Sequence, residues 1–454
     1  MEGFPLLTRK HRPTDSRVAV IGSGISGLSA AWLLSRSRQV TLYEADQRPG
    51  GHANTIDVIT PNGLTAVDTG FIVYNDRNYP ELVSLFEHLG VSTQPSDMSF
   101  AASLDGGRFE YSGSGLKGLL GQKANILRPF FWRMIADIMR FYRTAPSILI
   151  ERGNADETLG SFLARAGYSD SFINNHLLPM GAAIWSTTAA QMREYPLHAF
   201  IGFFERHGLL TLTHRPRWRT VTGGSRNYVE RLLKDFDGEV RLASPVTKIR
   251  RRDRGVEVTD ASGHTDIFDD VVIATHADQA LRMLEDPSQD EYDLLGQFAY
   301  TPNEAVLHRH TGLMPKRRSV WSSWNYIEAA RQFAEPQLCV TYWMNRLQNL
   351  DQAHPLFVTL NPVYAVPEQD QIAAFSYTHP LFDTKALVAQ KQLWRLQGTR
   401  RTWFCGAYFG SGFHEDGIRS GLGVAEQLAG VSPPWRANRQ DQPLPFSQDA
   451  VAAE

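Results

Sequence analysis

Cysteine is scarce in this chain. Its 454 residues contain two, Cys339 and Cys405, far apart in sequence. That number builds no disulfide framework and suits a reducing cytoplasm. Cys405 sits inside an apolar run and reads as buried filler rather than a nucleophile. No stretch approaches the ~18–20 apolar residues needed to span a bilayer. Residues 1–17 are polar where a signal peptide would carry an apolar core. Neither sign of charge dominates: 46 Lys and Arg against 48 Asp and Glu give a formal net charge of −2, which offers no footing for nucleic acid. There is no His-Glu-x-x-His and no Cys-x-x-Cys, so no metal is expected. A Gly-x-Ser-x-Gly elbow is also missing, which argues against a hydrolase of that type. There is no internal repeat. What remains is a globular composition, 42% hydrophobic, long enough for two or three domains.

The start of the chain is the most informative part. Val18-Ala19-Val20-Ile21 is an apolar, strand-like run that feeds into Gly22-Ser23-Gly24-Ile25-Ser26-Gly27. A helix-like pattern follows, then a second apolar run, Val40-Thr41-Leu42-Tyr43, closed by Glu44 and Ala45. Each part of this strand–turn–helix–strand–acid order has a reason. Gly22 permits the tight turn, Gly24 lets backbone approach a pyrophosphate, and Gly27 lets the helix pack close to the strand. The helix N-terminus, with Ile25 and Ser26, favours negative charge. Glu44 falls close to the ~20-residue spacing at which a carboxylate meets ribose hydroxyls. The pattern predicts dinucleotide binding.

A second glycine pair follows the acidic strand almost at once, in Arg48-Pro49-Gly50-Gly51-His52. A plain NAD domain has no need of it. The pattern resembles the extended FAD fingerprint of the amine oxidase and phytoene desaturase superfamily. That superfamily usually carries Arg after the pair; this chain has His52. Three further segments resemble the same superfamily in the same order. Val67-Asp68-Thr69-Gly70-Phe71 is similar to its turn toward the substrate domain. Thr222-Gly223-Gly224-Ser225, with the run from Val240 to Val246, is similar to the returning strand that meets the adenine. Phe404-Cys405-Gly406-Ala407-Tyr408 leads through His414-Glu415-Asp416-Gly417-Ile418 into a last helix. The resemblance implies that this helix end faces the flavin, where its positive pole would stabilise reduced flavin.

These motifs are dispersed, so the expected fold is α/β: a discontinuous FAD-binding Rossmann-type domain (16–90, 213–288 and 395–430) with an inserted α+β substrate domain (91–212 and 289–394). Residues 431–454, rich in Pro, Gln, Asp and Ala, read as a flexible tail. Tyr228 to Phe236 looks helical, Gly255-Val256-Glu257-Val258 and Asp270 to Thr275 look like strands, and Lys248 to Arg254 and Ala261 to His264 read as turns. Phe130, Phe131, Met134, Ile135, Ile138, Met139 and Tyr142 recur at helical spacing. Two readings of that helix are open. It is either a core helix with a solvated charged face, or a membrane-surface helix with Arg128, Arg133, Arg140 and Arg143 near anionic lipid.

A narrower resemblance rests on Phe71 to Pro80, Gly51-His52, Trp324-Asn325-Tyr326, Val340 to Asn345 and Gly412 to Gly417. Together these are similar to a bacterial family of FAD-dependent oxidoreductases often associated with cyclopropane-fatty-acid synthase-like methyltransferases. The resemblance implies FAD as cofactor, a lipid acyl chain as substrate, desaturation or oxidation as activity, and a lipid methyltransferase as partner. The expected location, from the scarce cysteines and the amphipathic helix, is cytoplasmic, with peripheral contact on the inner face of the membrane as a further option. Two other functions stay open: an amine oxidase on the same fold, and a non-catalytic flavin-binding scaffold for the methyltransferase.

The cofactor-binding candidates are Gly22, Gly24, Ile25, Ser26, Gly27, Glu44, Ala45, Gly50, Gly51, His52, Val246, Gly406, Asp416, Gly417 and Ile418. His414 is the catalytic candidate, since an imidazole in the flavin turn can move a proton near neutral pH; the alternative is a histidine that only braces the turn. Tyr408 is the second candidate, and it and Phe409 would wall the ring or simply pack in the core. Glu415 and Asp416 are expected to cap the last helix. Tyr74, Asn75, Asp76 and Arg77 would line the entrance between domains or shape their own loop. Trp321, Trp324, Tyr342 and Trp343 would line a long apolar tunnel or serve as core.

Overall fold

The computed structural model describes residues 15–150, 157–211, 215–330 and 338–436. At its centre lies a five-stranded parallel sheet in the order Glu239–Arg241, Gln39–Tyr43, Arg17–Ile21, Asp270–Ile273 and Thr402–Phe404. Parallel strands need both faces covered, and the three inner runs are buried on both, whereas the edge strand Glu239–Arg241 is charged and largely exposed. Side chains alternate between faces. Ala19, Ile21, Tyr43, Val271, Ile273 and Phe404 enter a core shared with Ile249, Val256, Val258 and Phe268, which belong to an antiparallel sheet of Val246–Arg252, Gly255–Asp260 and Thr265–Phe268. Val18, Val20, Val40, Leu42 and Val272 enter a second core with the helices Ile25–Leu34 and His414–Ala429.

The helix Ile25–Leu34 is buried at every residue, because it is wedged between the sheet and the C-terminal helix. Small residues make that possible. A Cβ on Gly27 would lie 1.8 Å from Gly22 O, and one on Gly421 would lie 2.2 Å from Ser26 O.

A seven-stranded sheet forms the second layer system, in the order Gln371–Leu381, Ala299–His308, Phe357–Leu360, Val340–Trp343, Trp324–Ile327, Phe100–Leu104 and Phe109–Ser112. All its pairings are antiparallel except Trp324–Ile327 with Phe100–Leu104. The helix Pro129–Ile150 contributes Phe131 and Met134 to its core, together with Tyr111, Val340 and Val358. The five parallel strands fall within 16–90, 213–288 and 395–430, and the seven strands within 91–212 and 289–394. We propose the two-domain division on that basis.

Two expectations are corrected. Lys248 to Arg254 is not a turn: residues through Arg252 belong to the strand Val246–Arg252, and the reversal falls at Asp253 and Arg254. Charge hid the strand, because its inward positions include Arg251, which is buried and paired with the equally buried Glu291. The first residues of the expected tail are also packed. Trp435 stacks on Trp32 at 5.7 Å, and Arg436 pairs with Glu81 at 2.9 Å and with Glu426 at 2.8 Å. The rest of that tail, 437–454, lies outside the described residues.

One buried carboxylate ties the two sheet systems together. Asp68 accepts hydrogen bonds from Thr55 Oγ1 (2.6 Å), Ser225 N (2.8 Å), Ser225 Oγ (2.7 Å) and Gln348 Nε2 (3.0 Å). Its own N–H donates to Gln348 Oε1 at 2.9 Å. Burial pushes the Asp68 carboxyl up to about 6, against the opposing pull of these donors, so the group is ionised at neutral pH. Removing it strands several buried donors, each costing roughly 1–3 kcal/mol. Asp68→Ala is therefore expected to lower the unfolding free energy by roughly 3–5 kcal/mol. Urea melts followed by circular dichroism test this; a loss below ~1 kcal/mol would contradict the bridging role.

Candidate active site

A cavity of about 1740 Å³ opens at the C-terminal ends of the parallel strands, the position where open α/β sheets bind ligands. Its walls come from four strand-end turns (Ile21 to Ser26, Tyr43 to Arg48, Ala274 to His276, Gly406 to Tyr408) and from Trp324, Tyr342, Leu360 and Phe375 to Pro380 of the seven-stranded sheet.

The nucleotide end is built as a cradle. Gly22 turns the chain with φ of 98°, and a Cβ there would lie 2.9 Å from Ala274 O. Over Gly24 the space is open, with no atom within 4 Å of where a Cβ would stand. The helix that begins at Ile25 has no side-chain cap and no acid in its first turn. Its leading N–H groups and its positive pole therefore face the cleft, as a pyrophosphate requires. Glu44 is held from below by Ser23 N at 2.8 Å, by the Ser23 hydroxyl and by Asp46 N at 2.9 Å. Beyond it, Ala243 N and Ser244 N donate to Asp46 O and Glu44 O, each at 2.8 Å, which brings Ser244 to Thr247 to the cleft wall.

Five buried polar atoms on the cleft wall have no partner within the described chain: His52 Nε2, His176 Nε2, Trp185 Nε1, Trp324 Nε1 and Tyr408 OH. Native interiors leave few such atoms unpaired. Together with the open cradle over Gly24, they fit a large polar ligand such as FAD.

The structure brings Gly22, Gly24, Ile25, Ser26, Glu44, Ala45, Gly51, His52, Val246, Gly406, Tyr408 and His414 to the cleft wall. Other candidates support that wall from behind. Gly27 fits against Gly22, and Gly50 N donates to Ser23 O at 3.0 Å. Gly417 packs on Ile25 and Ser26, and Ile418 is buried in the helix core. Asp416 does cap its own helix, accepting from Phe413 N at 2.9 Å, so its carboxylate is engaged within the turn. Glu415 caps a different helix from the one expected: it accepts from Glu81 N (3.0 Å) and Leu82 N (3.1 Å), at the start of the helix Pro80–Leu89.

His414 stacks on Phe71 at 3.7 Å, and its Nε2 lies 3.1 Å from Tyr228 OH. Burial lowers its pKa to about 3, so the ring is a neutral imidazole. The expected aromatic tunnel divides. Trp324 and Tyr342 line the cleft, whereas Trp321 and Trp343 pack against Met314 and Phe357 away from it. Phe409 packs edge-on against Trp394. Tyr74 and Asn75 form a short strand against Trp218–Val221, and Asn75 Oδ1 accepts from Arg77 N and Asn78 N. This segment therefore shapes its own loop, and Phe71, Ile72, Val73 and Tyr79 reach the cleft instead.

Sequence reasoning missed a cluster opposite the glycine turns. His52 stacks on Tyr377 at 4.9 Å and sits 5.4 Å from His379, while His276 stacks on Tyr300 at 4.3 Å. Tyr377 OH bonds Asn54 Nδ2 (3.0 Å) and Thr69 Oγ1 (2.9 Å), which joins the seven-stranded sheet to the Asp-Thr-Gly turn. Thr378-His379-Pro380, ending a long strand, was the available signal. Arg48 is a further cleft residue, steadied by donation to Gly51 O at 2.9 Å. Among the described residues, no group of three His, Cys, Asp or Glu is placed to hold a metal.

The strand order, the glycine cradle and the cleft define a dinucleotide-dependent enzyme of the doubly wound class. The chain belongs to the flavin containing amine oxidoreductase family, whose sequence model matches residues 25–310. It is an FAD-dependent oxidoreductase. A stretch of 79 residues is 43% identical to protoporphyrinogen oxidase 2, chloroplastic/mitochondrial, of Arabidopsis thaliana; the match spans 17% of this chain and 15% of that protein. A CLA-producing fatty acid isomerase from P. acnes has a similar structure, with a TM-score of 0.61 at 15% identity over 92% of this chain and 98% of that one. Cyclohexylamine oxidase from Brevibacterium oxydans IH-35A gives 0.65 at 17% identity over 91% and 100% of the two chains. Putrescine oxidase bound to putrescine gives 0.64 at 14% identity over 92% and 100%. At these identities the likeness establishes the fold.

Two outcomes follow from the site. A Cβ at Gly24 meets no protein atom within 4 Å, so Gly24→Asp is expected to fold normally yet purify without flavin, since it sets charge against the pyrophosphate position; Gly27→Ala is expected to fail to fold. A yellow Gly24→Asp protein, read at ~450 nm, would refute the cradle. The cleft histidines give a pH dependence. His176, His207 and His379 are held by burial to about 4, below the ordinary 6.5. As pH falls from 6.5 toward 4, the unfolded chain takes up protons that the folded chain excludes. Stability should therefore fall over that window, by up to about 1.4 kcal/mol per pH unit for each group. Denaturant melts between pH 7.5 and 4.5 would show it, and His176→Gln should flatten the slope.

Proposed function

We propose that this enzyme oxidises a lipid acyl chain esterified in a phospholipid. A hydride leaves one carbon and a proton leaves its neighbour, so that a C=C bond forms. The observation that carries this reading is the size and lining of the cleft. About 1740 Å³ exceeds the ~300–1,000 Å³ of an ordinary small-molecule pocket, which leaves room for a long substrate beside the nucleotide. Away from the glycine turns the wall includes the apolar side chains of Met180, Ile184, Trp185, Leu209, Trp324 and Leu360. Among the described lining residues the carboxylates are Glu44, Asp46 and Asp97. The first two sit at the nucleotide end, and Asp97 is bound to Arg346 at 3.0 Å. None is arranged to anchor a cationic substrate. The likeness to a fatty acid isomerase supports a lipid on this fold.

When bound, FAD supplies the two-electron acceptor. The chain supplies position and a dry environment. Its buried, uncharged imidazoles, His414 and His379 among them, keep charge away from the reacting carbons. His414 and Tyr408 are the proposed catalytic groups, acting as neutral side chains that position the reacting carbons; the Tyr408 hydroxyl is buried with no partner among the described residues. An unactivated CH₂ is a poor hydride donor, so the substrate carries a methyl branch or an existing double bond beside the reacting carbon. A lipid methyltransferase that installs such a branch is the partner this reading implies. Amine oxidation is the second reading, favoured by the likeness to cyclohexylamine and putrescine oxidases.

The test is the anaerobic absorbance near ~450 nm, before and after adding phospholipids with methyl-branched or unsaturated chains. Bleaching is expected, and His414→Ala should keep its flavin but bleach at least tenfold more slowly. Bleaching by amines alone would replace this reading with the second.

A further inference from the structure

We propose that the surface formed by residues 116–143 docks the enzyme on an anionic lipid bilayer, with the cleft edge beside it. The proposal rests on the lipid-substrate reading for its purpose, and on the surface itself for its evidence. Large apolar side chains are concentrated here: Leu116 is 77% exposed, Leu127 86% and Trp132 49%, with Ile126, Phe130 and Met139 also exposed. Large apolar side chains exposed in such number within one segment point to an interaction site. The local fold presents it deliberately. Trp132 Nε1 donates to Ile126 O at 2.9 Å, which fixes the indole beside the turn bearing Leu127. On the helix Pro129–Ile150, Trp132, Met139 and Arg143 stand at i, i+7 and i+11, along one exposed stripe.

Charge selects the occupant. From Gly113 to Ile150 the sequence carries Lys117, Lys123, Arg128, Arg133, Arg140 and Arg143 against a single acid, Asp137. That acid is buried and turned inward, where it accepts from Ser169 N at 3.0 Å and lies near Arg133 and Arg140. A whole chain of net charge −2 thus carries a cationic surface studded with apolar side chains. An interfacial helix meets an anionic membrane with this combination. Among the described residues no helix is long and apolar enough to cross a membrane, so the contact is to the surface.

Position links this surface to the chemistry. Gly113, Ser114 and Gly115 are exposed and also line the cleft, and Leu116 follows them directly. On the same helix as the exposed stripe, Tyr142 faces the cleft wall. An acyl chain leaving a docked leaflet would meet the cleft without crossing water.

The experiment is flotation of the full-length, FAD-loaded protein with phosphatidylcholine vesicles, with and without phosphatidylglycerol. Binding is expected only with the anionic lipid, and it should weaken as salt rises. Each Lys or Arg near such a surface is worth about fivefold in binding. Lys123→Glu with Arg143→Glu should therefore lower affinity at least tenfold, as should Leu127→Ser with Met139→Ser. All these side chains are exposed, so the variants should keep their flavin and melting temperature. Equal binding by the variants, or no binding to anionic vesicles, overturns the proposal. So does a dimer, seen by sedimentation, that Leu127→Ser with Met139→Ser dissolves, because the surface then joins two copies of the chain. Vesicle binding without any bleaching by lipid would leave the docking surface standing and remove acyl oxidation alone.

Discussion

The structure depends on one close approach of backbone to backbone. The helix Ile25–Leu34 lies so near the strand end that a single methyl at Gly27 would overlap Gly22 O. That proximity sets the helix pole at the mouth of the parallel sheet, and everything in the nucleotide cradle is placed from it. The Glu44 carboxylate is held by Ser23 of the same turn. Gly50 hangs from Ser23 O, and the C-terminal helix seats Gly417 and Gly421 against Ser26 and its neighbours. Three well-separated parts of the sequence converge because each brings a small residue to the same few atoms.

A second constraint joins this cradle to the substrate wall. Asp68 gathers Thr55, Ser225 and Gln348, and Tyr377 reaches Asn54 and Thr69. Polar contacts like these fix geometry where apolar packing alone would tolerate sliding, and a buried network is high-stakes if broken. They hold the seven-stranded sheet at a set distance from the glycine turns. The width of the cleft is therefore a property of a few hydrogen bonds as much as of the apolar cores beneath them.

The nucleotide half was legible in the sequence because its physics is local. A tight turn, a helix end and an acid at fixed spacing must be written in consecutive residues, and Gly22, Gly24, Gly27 and Glu44 are. The three inner parallel strands announced themselves as apolar runs. The strand through Lys248 to Arg252 did not, since its inward Arg251 finds its counter-charge in Glu291, about forty residues on in the chain. For the same reason Glu415 was matched to the wrong helix: its acceptors are used by Glu81 and Leu82, over three hundred residues away in sequence. The cluster of His52, His276, Tyr300, Tyr377 and His379 was invisible because five scattered aromatic rings meet only after two sheets dock. The split between Tyr342 and Trp343 follows the alternation of sides along the strand Val340–Trp343, which composition does not specify.

The order of the parallel sheet also bears on how the protein is made. Its edge strand Thr402–Phe404 and the helix His414–Ala429 are among the last described parts of the chain to leave a ribosome. Until they arrive, Ile273 lacks a neighbour on one side and the helix Ile25–Leu34 lies uncovered along the face that Gly417 and Gly421 later seal. An early segment of the chain thus waits for a late one before its site can close. Such distant pairing folds slowly, and it makes flavin capture a late event in biosynthesis, one during which the apolar strands need protection from one another and from other chains.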